Sequence, residues 1–286
     1  MPRLSVIIPT YRRAEILAEC LRRLECQTIV SDIEVIIVSD GHDEKTSALF
    51  AKQTWPMPVR FFEIEKSQQG AARNEGIMHA TGEIVLFIGD DAFLEPDACE
   101  VHLTVHQSAK TPIAVLGFTT WDSAVGITPV MTWLETSGWQ FGYHALNRSL
   151  ATGAGPFIPP SIQHKFSYTI HISLPLSEAK KNLFRTDVHL YGWEDVEWGM
   201  RLKNAGVRLY YEPHAKALHH HRMTLEDSLK RMETLGRSAM EIQKKVPEFD
   251  RVPKGWKLLA YRVLSLLPTM SGKHRKAFLI GLTRGA

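Results

Sequence analysis

The chain has no run of eighteen apolar residues, so no segment reads as a membrane-spanning helix. Cysteine is scarce: Cys20, Cys26 and Cys99 are odd in number and lack paired spacing, which argues against a disulfide framework and a cysteine-built zinc site. Neither G-x-G-x-x-G nor G-x-x-x-x-G-K occurs, so the dinucleotide fingerprint and the P-loop are missing. There is no internal repeat and no low-complexity block. The N-terminus enters a strand-like segment directly, so no signal peptide is expected, and a reducing cytoplasm is the expected location. Acidic residues stop before the end. From Arg251 onward there are eight Lys or Arg and no Asp or Glu, interleaved with Trp256, Leu258, Leu259, Val263, Leu264, Leu266 and Leu267. Such a tail suits an anionic membrane surface, and equally a docked terminal helix with solvated bases.

What is present is regular alternation. Residues 4–8 are a short, β-branched apolar run that predicts a buried strand; 33–38 and 59–64 predict two more buried strands, and 83–88 and 113–118 a fourth and a fifth strand. Between them, residues 14–24 place Ile16, Leu17, Cys20, Leu21 and Leu24 on one helical face. Residues 71–79 predict a second helix, and a third is expected to start at Pro96. Strands that are apolar throughout and alternate with helices predict an α/β fold, a mostly parallel Rossmann-like sheet flanked by helices. After Phe118 the pattern loosens, and the Gly/Pro-rich stretch 153–160 predicts a mobile loop. Regularity returns with a helix after Gly192 and a strand over 207–211, closed by a turn at Glu212-Pro213. The expected organisation is one domain over 1–225, with halves 1–118 and 119–225, and a basic amphipathic helical extension over 226–286.

Ligands of such sheets bind beyond the C-terminal ends of the strands. The first strand ends in Pro9-Thr-Tyr-Arg-Arg13, the second in Ser39-Asp40, the fourth in Gly89-Asp-Asp91. Adjacent carboxylates repel, and a hard divalent cation makes that arrangement favourable; Mg²⁺ or Mn²⁺ in turn suits a diphosphate. The same aspartates can instead cap the next turn. Gly70 and Arg73 open a helix where a phosphate or base can approach. Gly192-Trp-Glu-Asp195 places two carboxylates at a helix start, where one can accept the proton of an attacking hydroxyl. Of the three consecutive residues His219, His220 and His221, not all can face one site, but one can join Asp91 on a metal.

In this order the segments resemble the family-2 glycosyltransferases of the GT-A fold over roughly residues 3–222. The matching points are Ser5-Val-Ile-Ile-Pro-Thr-Tyr11, Glu34-Val-Ile-Ile-Val-Ser-Asp-Gly41, Gly70-Ala-Ala-Arg-Asn-Glu-Gly76, Phe87-Ile-Gly-Asp-Asp91 and Gly192-Trp-Glu-Asp-Val-Glu197. The resemblance implies an inverting enzyme that moves a sugar from a nucleotide diphosphate sugar, a UDP-sugar in the commonest case. The acceptor would be a hydroxyl of a saccharide or lipid-linked saccharide, in cell-surface polysaccharide or glycoconjugate synthesis. Pro9, Thr10, Tyr11, Arg13, Asp40, Arg73 and Asp90 would bind nucleotide. Asp91 with His219 or His221 would hold Mn²⁺ or Mg²⁺. Asp195 would be the general base, with Glu194 orienting the acceptor and Gly192 and Trp193 beside it. Trp139, Tyr143 and Trp193 are candidates for stacking on sugar rings, and the 153–160 loop for closing over the donor. No nucleic-acid partner is implied. Gly89 departs from the D-x-D pattern, and Ser39 replaces one acid of the second strand end. A nucleotide-sugar-binding protein without turnover and a sugar-phosphate nucleotidyltransferase are the alternatives.

Overall fold

The computed structural model describes residues 2–52 and 54–285. Its centre is one eight-stranded sheet in the order β3-β2-β1-β4-β7-β6-β8-β5. The strands are β1 (Leu4–Thr10), β2 (Ile33–Asp40), β3 (Val59–Ile64), β4 (Ile84–Ile88), β5 (Ala92–Leu94), β6 (Ile113–Trp121), β7 (His171–Pro175) and β8 (Arg208–His219). The first half is parallel, as the apolar runs predict: β1 pairs with β2 and β4, and β2 with β3. Every residue of β1 and of β2 is buried, because helices cover both faces. Helices α1 (Ala14–Glu25), α2 (Glu44–Lys52), α3 (Gln69–His79) and α4 (Ala98–Ser108) connect these strands.

The second half is mixed. β7 runs antiparallel to both β4 and β6, and β5 runs antiparallel to β8 at the edge. Neither β5 nor β7 is evident in the sequence. β7 hides because alternate positions are polar: His171 and Ser173 point to a buried cluster, where His102 lies 3.0 Å from His171 and 2.8 Å from Ser173. Gly117 on β6 makes room for the His171 ring, which a Cβ there would strike.

Three expectations need correction. The third helix begins at Ala98, with Pro96 in the preceding turn and Asp97 as its N-cap. The last strand does not end at Glu212-Pro213 but continues to His219. Its pairing slips between Gly117 and Phe118 of β6, leaving residues 213–215 in a bulge, where a proline costs no ladder bond. The 153–160 loop does not reach the strand C-terminal ends. Its Ile158 N–H donates to Leu209 and its Pro156 carbonyl accepts from Tyr211, which holds it at the opposite end of β8.

Residues 129–204 add α5 (Pro129–Ser137), α6 (Tyr143–Ala151), α7 (Leu176–Lys181) and α8 (Glu194–Asn204). The C-terminal region is helical as expected: α9 (Leu225–Lys245), α10 (Trp256–Leu264) and α11 (Met270–Gly285). α9 starts with a capping box between Thr224 and Asp227. It meets α11 closely, since a Cβ on Gly236 or Gly281 would strike the other helix's backbone. Among the described residues no helix is long and apolar enough to cross a membrane. Cys20, Cys26 and Cys99 are all free.

Candidate active site

The C-terminal ends of β1, β2, β4 and β8 converge with the start of α8 on a cavity of about 660 Å³. Pro9, Thr10, Tyr11, Arg13, Asp40, Arg73, Asp90, Asp91, Glu194, Asp195, His219 and His221 all line it. The residues singled out from the sequence are thus brought together, with both His219 and His221 beside Asp91. Gly192 and Trp193 line an adjoining cavity instead.

The acid pair lies in the turn between β4 and β5. Asp90 accepts from Thr10 Oγ1 at 2.8 Å and from Arg13 at 2.7 Å. Asp91 accepts from Arg13 at 2.9 Å, and the same oxygen lies 3.5 Å from His219 Nε2 and 3.6 Å from His221 Nδ1. Burial, then the charge of Asp91, pushes Asp90 up to about 7. Burial acts on Asp91 too, but His219, His221 and Arg13 hold it well below the usual carboxylate range. Gly89 has a local reason: a Cβ there would come within 2.8 Å of the Asp91 carboxylate, which folds back over it. The His220 N–H donates to the Asp91 carbonyl at 2.7 Å, tying the end of β8 to this turn.

Asp91, His219 and His221 present ligand atoms within 4.8 Å of one another. One carboxylate and two imidazoles fit a divalent cation, and the nitrogen donors suit Mn²⁺ better than Mg²⁺, which takes oxygen. His219 is oriented by stacking on Trp121, because its buried Nδ1 has no hydrogen-bond partner. His220 faces elsewhere, 2.7 Å from Asp122 and stacked on Phe93.

Asp40 is committed locally. Its carboxylate accepts from the Ser67 and Gln68 N–H groups at 2.7 and 3.0 Å and from Lys66 at 2.8 Å. Lys66 also lies 3.5 Å above the Tyr11 ring, so it frames this end of the cavity. Arg73, only 3% exposed, pairs with Glu194 at 3.3 Å and Gln69 at 3.0 Å.

The α8 start is held by α9. Trp193 takes a left-handed conformation, and its indole N–H donates to the Leu235 carbonyl at 2.8 Å. Ser238 donates to the Gly192 carbonyl at 2.9 Å. Gln68, Phe141 and Trp193 all have positive φ, a strained state for residues with side chains, and all three line the cavities. Burial, then the charge of Glu194, pushes Asp195 up to about 7. A carboxylate poised there suits proton abstraction near neutral pH. Of the aromatic candidates, Tyr143 is not available to a sugar. It is buried in the core against Phe118 and Tyr211.

Several lining residues escaped the sequence reading: Lys66, Gln140, Phe141, Tyr168, Asp227 and Arg231. Lys66 sits on a loop, and Arg231 on what reads as the solvated face of an amphipathic helix. Phe141 and Tyr168 come from the irregular region, where no periodicity points to them.

Residues 5–162 match the family model for glycosyl transferase family 2, and the chain belongs to that family. It is 38% identical over 101 residues to a putative glycosyltransferase, EpsH, of Bacillus subtilis, covering 35% of this chain and 29% of that one. It is 31% identical over 94 residues to the GalNAc(5)-diNAcBac-PP-undecaprenol beta-1,3-glucosyltransferase of Campylobacter jejuni, covering 32% and 30%. The chain thus spans about a third of the length of these relatives. Its fold is similar to that of a Pyrobaculum calidifontis mannosyltransferase in complex with GDP-Man and Mn²⁺, with a TM-score of 0.60, 18% identity, and coverage of 100% and 76%. It is also similar to S. aureus TarS in complex with UDP-GlcNAc, at a TM-score of 0.56, 18% identity, and coverage of 84% and 67%. The sheet with its flanking helices is the GT-A fold that the resemblance implies.

Proposed function

We propose that the protein is an inverting glycosyltransferase that uses a nucleotide diphosphate sugar, a UDP-sugar in the first instance, and a divalent cation. The observation that carries this reading is that one cavity holds both the Asp91–His219–His221 cluster and Asp195, a carboxyl raised to about 7. The cluster would hold Mn²⁺, whose chemistry there is to neutralise the departing diphosphate. Tyr11 with Lys66, beside Asp40, forms a flat, cationic end of the cavity that suits a nucleobase and its phosphates. Asp40 has three donors already, so its part is chiefly to position the loop carrying Lys66, Ser67 and Gln68.

Asp195 accepts the proton of the acceptor hydroxyl as that oxygen attacks the anomeric carbon from the face opposite the leaving group, which inverts the configuration. Glu194 raises the basicity of Asp195 and is itself oriented by Arg73. The acceptor is a saccharide or lipid-linked saccharide; the lipid-linked form is favoured by the Campylobacter jejuni relative, whose name includes an undecaprenol diphosphate carrier.

The test is ligand-dependent stabilisation across a panel of nucleotide sugars with and without Mn²⁺. The reading expects a rise in Tm for one nucleotide class that requires the metal. A flat response across the panel would count against it.

A further inference from the structure

The second cavity, of about 670 Å³, adjoins the first at Asp195 and runs beneath α10. Its lining carries Arg231, which also faces the first cavity, and Arg251, Lys257 and Arg275, which do not. Among the described residues no carboxylate lies within salt-bridge distance of Arg231, Lys257 or Arg275. Arg275 is held through Ser271, and its guanidinium lies over the rings of Trp139 and Tyr261 at 5.3 and 5.4 Å. The buried Nε atoms of Arg251 and Arg275 have no hydrogen-bond partner. The acids that line the cavity leave most of this charge free: Asp250 is shared among His164, Lys165 and Arg251, Glu194 is taken by Arg73, and of these cations Asp195 feels only Arg231, at the shared end. A cavity that begins at a proton acceptor and continues into unpaired guanidinium groups suits a ligand with a hydroxyl at one end and phosphate further along.

The outer lip of the cavity is α10, and no residue of this helix is buried. Trp256, Leu259 and Val263 recur at intervals of three and four, so they share one face of α10, and Leu266 follows in the turn just beyond its end; Trp256 is 74%, Leu259 64% and Leu266 83% exposed. Lys254, Lys257 and Arg262 stand among them, and no acidic residue occurs from Arg251 onward. An apolar stripe with a tryptophan, bordered only by cations, is complementary to an anionic bilayer surface, into which the stripe sinks while the bases meet the head groups. It is a poor match to solvent.

We infer that the second cavity seats an acceptor anchored to the membrane through a lipid phosphate, and that α10 lies in the surface of an anionic bilayer to present the cavity to it. The phosphate meets Arg231, Arg251 and Arg275, the lipid chain leaves beside α10, and the sugar hydroxyl reaches Asp195. This rests on the reading of Asp195 as the base.

Vesicle flotation without nucleotide sugar and in EDTA tests it independently of turnover. Wild-type protein should float with phosphatidylcholine–phosphatidylglycerol vesicles. The triple variant Leu259→Ser, Val263→Ser, Leu266→Ser should bind them about tenfold or more weakly, with an unchanged Tm and unchanged donor binding, because these side chains line neither cavity. Polyprenyl diphosphate in phosphatidylcholine vesicles should recruit the wild type, and recruit the Arg231→Gln, Arg275→Gln variant far less. Equal vesicle binding by wild type and triple variant, or no recruitment by polyprenyl diphosphate, would overturn the inference. So would stabilisation by inorganic diphosphate in the absence of any vesicle binding, which would assign the cavity to a soluble ligand. Vesicle binding and polyprenyl diphosphate recruitment without turnover of any nucleotide sugar would instead sink the catalytic reading, and would leave the membrane contact and the phosphate seat while removing the acceptor role built on Asp195.

Discussion

Arg13 donates to the Asp91 carboxylate at 2.9 Å, through the same oxygen that faces His219 and His221. A guanidinium therefore neutralises the acid pair from the side of α1 while two imidazoles face it, His219 from the last position of β8 and His221 from just beyond it.

That arrangement predicts which histidines matter. His219→Ala and His221→Ala should each raise the Mn²⁺ concentration needed for half-maximal activity by about tenfold or more, since each would remove one donor from the small set proposed to hold the ion. His220→Ala should leave the Mn²⁺ requirement unchanged and lower Tm modestly, because its ring pairs with Asp122 and Phe93. Manganese titrations of the three variants decide the matter; an increased requirement in the His220 variant alone would reverse the assignment.

The pH dependence of kcat/KM follows from Asp195. Its folded pKa is raised to about 7, so in the proposed role the carboxyl would be protonated and inactive below that pH and would act as the base above it. Activity should therefore climb with pH, roughly tenfold per unit below 7, and level off above it. Glu194→Gln removes a negative charge beside Asp195 and frees Arg73, and both changes lower the Asp195 pKa. The acid limb of this variant should move to lower pH, even as turnover falls. A limb that stays in place would show that another group titrates.

Gly192 and Gly153 separate two backbone effects. Both have positive φ, so alanine at either costs about 1–2 kcal/mol in conformational strain. Only at Gly192 would the new Cβ also strike Leu235, the residue whose carbonyl holds the Trp193 indole. Gly192→Ala should therefore lower Tm further than Gly153→Ala and depress kcat, which chemical denaturation and steady-state rates can compare. Equal losses at the two sites would mean that α9 does not position the α8 start.

The buried histidines predict a loss of stability in acid. Burial, and then the neighbouring histidines, lower His102 well below its ordinary value, and burial takes His106 and His171 to about 4. The unfolded chain binds these protons near pH 6.5 and the folded chain does not, so stability is full above 6.5 and falls as pH drops from there toward 4. Each unit of depression is worth about 1.4 kcal/mol. His106→Gln, which can keep the bond to Ser173, should show a shallower decline between pH 6.5 and 4 in urea titrations. An unchanged slope would place the acid sensitivity elsewhere.

The parallel half of the sheet was legible because β1, β2 and β4 are buried on both faces and so read as unbroken apolar runs. β7 was not, since its polar positions are satisfied only by His102 and His106 from α4, a long-range pairing no local pattern reports. β8 was cut short because Pro213 reads as a terminator until its bulge is seen. The strand-end acids stood out by position alone. Their partners did not: Lys66 and Arg231 are ordinary surface residues in sequence, and only the fold turns them toward the cavity.

The central claim is that Asp195 removes the acceptor proton in a single inverting displacement. It is tested most directly by following donor turnover and the anomeric configuration of the product for wild type and Asp195→Asn, with donor binding measured alongside. The account predicts an inverted product, a loss of about 10²–10⁴ in kcat for the variant, and donor binding within a few-fold of wild type. Equal turnover by both proteins, or a product that keeps the donor's configuration, would contradict it.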